Sequence, residues 1–212
     1  MVIVCEASID NSIKFGLLQD GQPYPEITEW GKKFEKPVLT YKLHNFTPDI
    51  EKRRIQERAI TVAFRVWGLR IKTLKFKRIY GAEDPDLDIW FKPSSEFSGP
   101  GVLAHATFPG QSQFYIEFND GWDWVSHAAI ADIGHPPIVP IGIHEIGHCL
   151  GLTHDTIERL AIMFPSFNLG EKKNDLDTRD VTRIQWLYGI RTGMQRFIDY
   201  FKRRRDAGWD FD

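Results

Sequence analysis

No apolar run in the chain approaches the roughly 18 residues of a membrane span, so no spanning helix is expected. A dominant charge is missing too. The 27 basic residues stand against 29 acidic ones, which gives no electrostatic ground for nucleic acid or an anionic membrane as partner. Cysteine is scarce, and the two present settle little: a Cys5–Cys149 bridge is allowed by count, while Cys149 reads as a small packed hydrophobe. The opening Met1-Val-Ile-Val-Cys-Glu6 has too short an apolar core for a signal peptide. Internal repeats and low-complexity tracts are absent.

What is present fits one domain with extensions, long enough at 212 residues to bury a substantial core. Between Asp49 and Trp67, Ile50, Ile55, Ala59, Ile60, Ala63, Phe64 and Trp67 fall at three-to-four spacing, which predicts an amphipathic helix. Leu74–Tyr80 alternates imperfectly, as a strand does, and Asp86–Phe91 and Phe114–Phe118 are short apolar-aromatic runs bounded by turn formers. A helix, then strands, then two more helices implies an α+β sandwich.

The most informative stretch is His144-Glu-Ile-Gly-His-Cys-Leu-Gly-Leu-Thr-His154. Four residues apart on a helix, His144 and His148 project from one face about 40° out of register, near enough for one ion. Gly151 can leave the helix in a left-handed conformation and let the chain turn back, bringing in His154. Three neutral nitrogens with an open fourth position are the donor set of a catalytic zinc. Glu145 sits beside that open side, where it can serve as general base toward a zinc-bound water.

All fixed positions of the long zinc motif of metzincin proteases are filled here. Nine residues past His154, Ala161-Ile-Met163-Phe-Pro165 resembles the Met-turn that passes beneath the metal in that group. Over about residues 37–190 the chain resembles a matrixin catalytic domain. Tyr41–Asp49 is similar to the family's first strand and turn, Ala63–Trp67 to the end of its first helix, and Asp88-Ile89 to a central strand. Gly101–Gly110 resembles the edge strand above the cleft, and Asp180–Gly189 the closing helix. Asp155, after the third His, is Ser in most matrixins.

The resemblance implies a metzincin-like sandwich: a twisted, mostly parallel sheet, two long helices and a C-terminal helix, with zinc in a horizontal cleft. It also implies a zinc-dependent endopeptidase, secreted or extracellular and monomeric, acting on polypeptides. The alternative is a catalytically weak or vestigial binding protein or toxin component on a protease fold. A substrate would lie extended along the edge strand near Leu103 and Ala104, with Pro165 and Phe167 in the opposite wall. Pro140, four residues before His144, would help set a pocket for medium or large apolar side chains. Where some metzincins place an assisting Tyr, this chain has Pro165.

Departures from the family shape further expectations. Its second, structural zinc needs three His and one Asp, but Trp90–Val102 contains neither residue type and Tyr115 stands where a His belongs. His105 alone reads as a hydrogen-bonded histidine, so one Zn2+ per chain is expected. Ca2+ is left open, with oxygens at Asp84, Asp86, Asp88, Glu117, Asn119 and Asp120. Residues 1–36 form an extension expected to lie across the sandwich, too short for the family's pro-domain and without its Pro-Arg-Cys-Gly switch, although Cys5 could cap the zinc as a thiolate. Arg179 occupies the position of the acid that receives a freed N-terminal amine, so trimming 1–36 is not expected to raise activity. Residues 191–212 read as a basic amphipathic tail that docks on the domain.

Overall fold

The computed structural model describes residues 2–6, 13–14, 28–29, 31–99, 101–127, 134–168 and 173–190, the first three segments as backbone only. Strand β1 is Val2–Glu6, and β2 (Ile13–Lys14) and β3 (Thr28–Glu29) pair as a small separate ladder. Then follow β4 (Val38–Leu43), α1 (Arg53–Gly68), β5 (Lys75–Arg78), β6 (Leu87–Lys92), β7 (Val102–Ala106) and β8 (Tyr115–Asn119). The chain closes with α2 (Ile138–Cys149), β9 (Ser166–Asn168) and α3 (Thr178–Tyr188). Seven strands form one sheet in the order β5-β4-β6-β8-β7-β1-β9. Its β5-β4-β6-β8 part is parallel, while β7 runs antiparallel to β8. The expected α+β sandwich is what forms.

Helix α1 starts later than its apolar pattern suggests, and Gln56 explains why. Its amide accepts from Thr47 N at 3.0 Å and donates to Thr47 O at 2.8 Å and Ile50 O at 2.7 Å, holding residues 47–50 as a turn. From Arg53 onward the periodic face is buried: Ala59, Ile60, Ala63, Phe64 and Trp67. Phe64 and Trp67 are almost wholly excluded from water, and each contributes about 1.5–3 kcal/mol by burial of apolar surface. In β6 the strand period is clean, with Leu87, Ile89 and Phe91 facing the core. Every residue of α2 is buried, as befits a helix without a polar face.

Helices α1 and α2 pack closely because the sequence leaves room. A Cβ on Gly142 would sit 3.3 Å from that of Ala63, and Trp67 Nε1 donates to Ile143 O at 2.8 Å. That bond ties α1 to α2 one residue before His144.

The N-terminal extension departs from expectation. Instead of crossing the sandwich, β1 enters the sheet, parallel to β7 (Val4 opposite Val102, Glu6 opposite His105) and antiparallel to β9 (Ile3 opposite Phe167, Val4 opposite Ser166). β7 is therefore not an edge strand in this structure. The Cys5 side chain and the tail 191–212, with its expected docking, lie outside the described residues.

Candidate active site

α2 ends in a Schellman turn. Gly151 takes φ +101°, its N–H bonds His148 O at 2.9 Å, and Leu152 N bonds Gly147 O at 3.0 Å. A side chain at residue 151 would be strained, and its Cβ would lie 2.3 Å from Lys32 O. The turn has two effects on the site. It reverses the chain so that His154 faces His144 and His148, and it presents Leu152 O to His148 Nδ1 at 2.8 Å.

His144 Nδ1 is held in the same way, by Ile162 O at 2.7 Å. Since a carbonyl only accepts, both Nδ1 atoms carry the proton and both Nε2 atoms present lone pairs. Those two Nε2 atoms lie 3.1 Å apart, and one ligand atom from each of the three imidazoles falls within 4.8 Å of the others. His154 Nε2 is buried without a hydrogen-bond partner. Burial, first of all, depresses the three proton affinities: His144 falls to about 3, His154 to about 4, and His148 well below its ordinary value. All three are neutral at pH 7. Two buried acceptors this close, with the unpartnered His154 Nε2 beside them, repel one another, and a cation removes that penalty. The donor set fits zinc.

The Met-turn is secured from behind. Asp180 on α3, with no exposed surface, accepts from Ile162 N at 2.7 Å, Met163 N at 3.2 Å and Asp177 N at 2.9 Å. Burial raises its pKa, and these three bonds offset only part of the rise. Met163 is fully buried, and a Cβ on Gly147 would meet its sulfur at 2.3 Å. Asp155 binds its backbone N–H to Met163 O at 2.8 Å. Its carboxylate takes Arg179 Nε at 2.6 Å and the amides of Ile157 and Glu158. Burial alone would raise that carboxyl, but Arg179 and the two amides hold it below the usual carboxylate range. Arg183, 2 % exposed, donates to Thr153 O at 2.8 Å, next to the third imidazole. One face of α3 thus fixes both the Met-turn and the loop that carries His154.

A pocket opens beside the imidazoles. Glu145, 1 % exposed, lines it together with His144, and Leu103, Pro140, Pro165 and Phe167 supply much of the apolar wall. Of the residues expected to meet substrate, Ala104 is not brought there: it has no exposed surface and pairs with Phe118 of β8. The pocket lies between β7 and β9, the two strands that β1 joins. His105 Nε2 bonds Glu117 Oε2 at 2.7 Å, the hydrogen-bonded role read from its isolation. Asp180, Arg183, Gly147 and the carbonyls of Leu152 and Ile162 were not assigned from sequence. Charge at three-to-four spacing with Ile184 and Tyr188, on the buried face of α3, was the one signal available for Asp180 and Arg183.

A family model described as Matrixin matches residues 29–189, most of the chain. The chain belongs to the matrixin family. It is 37% identical over 164 residues to matrix metalloproteinase-18 of Xenopus laevis, covering 74% of this chain and 33% of the relative. Neutrophil collagenase of Homo sapiens is 33% identical over 174 residues, 77% of this chain and 35% of the relative. Interstitial collagenase B of Mus musculus is 32% identical over 200 residues, 91% of this chain and 41% of the relative. The chain spans a third to two fifths of the length of these relatives. The matrixin match starts at residue 29 rather than 37, so it takes in part of the extension.

Proposed function

We propose that the protein is a zinc-dependent endopeptidase that hydrolyses internal peptide bonds of extended polypeptides. The observation that carries this is a juxtaposition: His144, one of three clustered imidazoles, and Glu145 line a pocket whose walls include Leu103 of β7 and Ser166 and Phe167 of β9, the two strands with which an extended segment, β1, pairs on either side. A slot that binds backbone as an added strand recognises polypeptide rather than a small amide. His144, His148 and His154 would hold the ion. Zinc in that position supplies Lewis acidity toward water and toward the scissile carbonyl. Glu145 takes the proton of the attacking water and passes it to the departing amine nitrogen. Leu152 O and Ile162 O keep two imidazoles in the required tautomer and orientation. Pro165 offers no hydroxyl or N–H, so no side chain there assists the oxyanion.

One zinc per chain is proposed: among the described residues His144, His148 and His154 form the cluster that could hold an ion, and His105 is engaged by Glu117. Calcium is not proposed: Asp86 is bound by Lys36 and Thr40, Asp88 by His44, and Asn119 by Ser94 and Gly121. Residues 37–190 are proposed as the catalytic unit, monomeric and working outside the cell. No helix among the described residues is long and apolar enough to cross a membrane. The test is incubation with an unfolded protein, reading fragments by mass spectrometry. Cleavage should stop on chelation and return with one equivalent of zinc. Cleavage indifferent to chelation, or two zincs retained per chain on elemental analysis, contradicts the proposal.

A further inference from the structure

The near-balance of charge over the whole chain hides a strong local excess. Residues 52–78, from the start of α1 through β5, carry ten lysines and arginines and a single acid, Glu57. The other 185 residues hold 17 basic residues against 28 acidic ones. On α1, Arg54, Arg58 and Arg65 fall within about 40° of one another at about 100° per residue and span about 16 Å of the axis. All three are exposed, opposite the buried face of Ala59, Ile60, Ala63 and Trp67. Among the described residues they form no ion pair, and Glu57 is taken by Arg78 at 3.3 Å. Folding gives no reason for this placement. Lys52, Arg53 and Arg54 crowd the N-terminus of α1, whose first turn has no acid, although a helix dipole favours anions at that end. Arg54 and Arg58 are like charges four residues apart, which also weakens a helix. Lys75 and Lys77 do have a structural use, as charges that keep the edge strand β5 from pairing with another chain. The arginines of α1 have no such use, and cations kept where they cost stability point to a ligand.

We propose that the outer face of α1 binds a linear polyanion, a sulfated polysaccharide. A planar guanidinium can hold a sulfate through two N–H groups, as it does a phosphate. Arg54, Arg58 and Arg65 offer three in a single row, which suits a chain laid along the helix. Lys52 and the positive pole of the helix extend the field at one end. Two other anionic partners fit less well. Residues 52–65 expose no aromatic ring on which a base of a nucleic acid could stack. Beside the stripe, Ile55 and Val62 are 38% and 36% exposed, too little apolar surface to enter a lipid interface. The face is also separate from the catalytic site: no residue of 52–78 lines the pocket beside Glu145. A bound polysaccharide therefore tethers the protein to a sulfated matrix and leaves that pocket open.

The test uses the full-length protein and heparin, with binding followed by titration calorimetry at low and at physiological salt. The wild type should bind, more weakly as salt rises, although a net charge of −2 gives a polyanion no general attraction. R54Q/R58Q/R65Q should weaken binding roughly 100-fold, the worth of three cations facing an anionic surface. Its peptide cleavage and urea midpoint should stay at the wild-type level. R54K/R58K/R65K should hold binding within about tenfold of wild type, since the charge remains. K75Q/K77Q should cost less than the triple glutamine variant, and fully desulfated heparin should not compete. A wild type that does not bind heparin overturns the proposal, even where a variant does not fold. So does a triple glutamine variant that binds like the wild type, or a K75Q/K77Q loss as large as the triple's, which is plain ion exchange. Tighter binding to single-stranded DNA or to phosphatidylserine vesicles than to heparin gives the face to that partner and equally overturns it. Peptide cleavage is a separate readout: its failure in the wild type strikes the endopeptidase reading and leaves the heparin result standing.

Discussion

Asp180 offers the sharpest test of how the site is held. Asp180→Ala removes the acceptor for Ile162 N and Met163 N, two buried amides in the Met-turn, and for Asp177 N at the start of α3. A buried donor left without a partner costs about 1–3 kcal/mol, so the two Met-turn amides set the loss at roughly 2–6 kcal/mol. Relief of a buried charge, the main cause of the raised pKa of Asp180, offsets part of that. The net expectation is a loss of about 2–4 kcal/mol out of a total of roughly 5–15 kcal/mol for a domain. The effect should reach the metal, because the loosened segment carries Ile162 O, which orients His144. Outer partners of this kind are worth about 10–100-fold in metal affinity. Urea unfolding of the zinc-loaded protein gives the first quantity, and chelator competition the second. Thr182→Ala, on the exposed side of the same helix, is the control and should stay within about 0.5 kcal/mol of wild type. If Asp180→Ala matched that control in both assays, the claim that α3 holds the Met-turn would be wrong.

Three further outcomes are expected. In the metal-free protein the imidazoles have folded pKa values lowered to about 3 (His144), to about 4 (His154) and well below the ordinary value (His148). Their stabilisation is therefore complete above the unfolded value near 6.5 and declines as pH falls below it, by up to about 1.4 kcal/mol per pH unit for each group; denaturation midpoints flat from pH 8 to 5 would contradict this. Gly147→Ala places a methyl against the sulfur of Met163, and overpacking should cost about 1–3 kcal/mol by urea unfolding; a stability equal to wild type would show that the Met-turn yields freely. Because β1 lies in the slot, deleting residues 1–8 should raise kcat/KM on a peptide several-fold, as removal of a tethered competitor does. That reverses the expectation drawn from Arg179, and an unchanged KM would restore it.

The three-histidine cluster was legible because each member is set by local geometry. A four-residue helical spacing aligns His144 with His148, and a glycine at the helix end returns His154. Likewise α1 and β6 follow directly from periodicity. What fixes those imidazoles was less legible. Leu152 O and Ile162 O are backbone atoms and leave no residue-type signal, while Asp180 and Arg183 act on segments 17 to 30 residues away in sequence. The placement of β1 could not be read either. Pairing depends on which strand edge is open, and an apolar run such as Val2–Val4 fits any edge.

The central claim is zinc-dependent peptide hydrolysis with Glu145 moving the proton. Its most direct test measures zinc content and peptide cleavage together in wild type, Glu145→Ala and His148→Ala. Glu145→Ala keeps all three imidazoles, so zinc should stay bound while the rate falls on the order of 10²–10⁴-fold, the worth of general acid–base help. His148→Ala should lose metal and activity together. A Glu145→Ala protein that carries zinc and cleaves peptides at the wild-type rate would contradict the account.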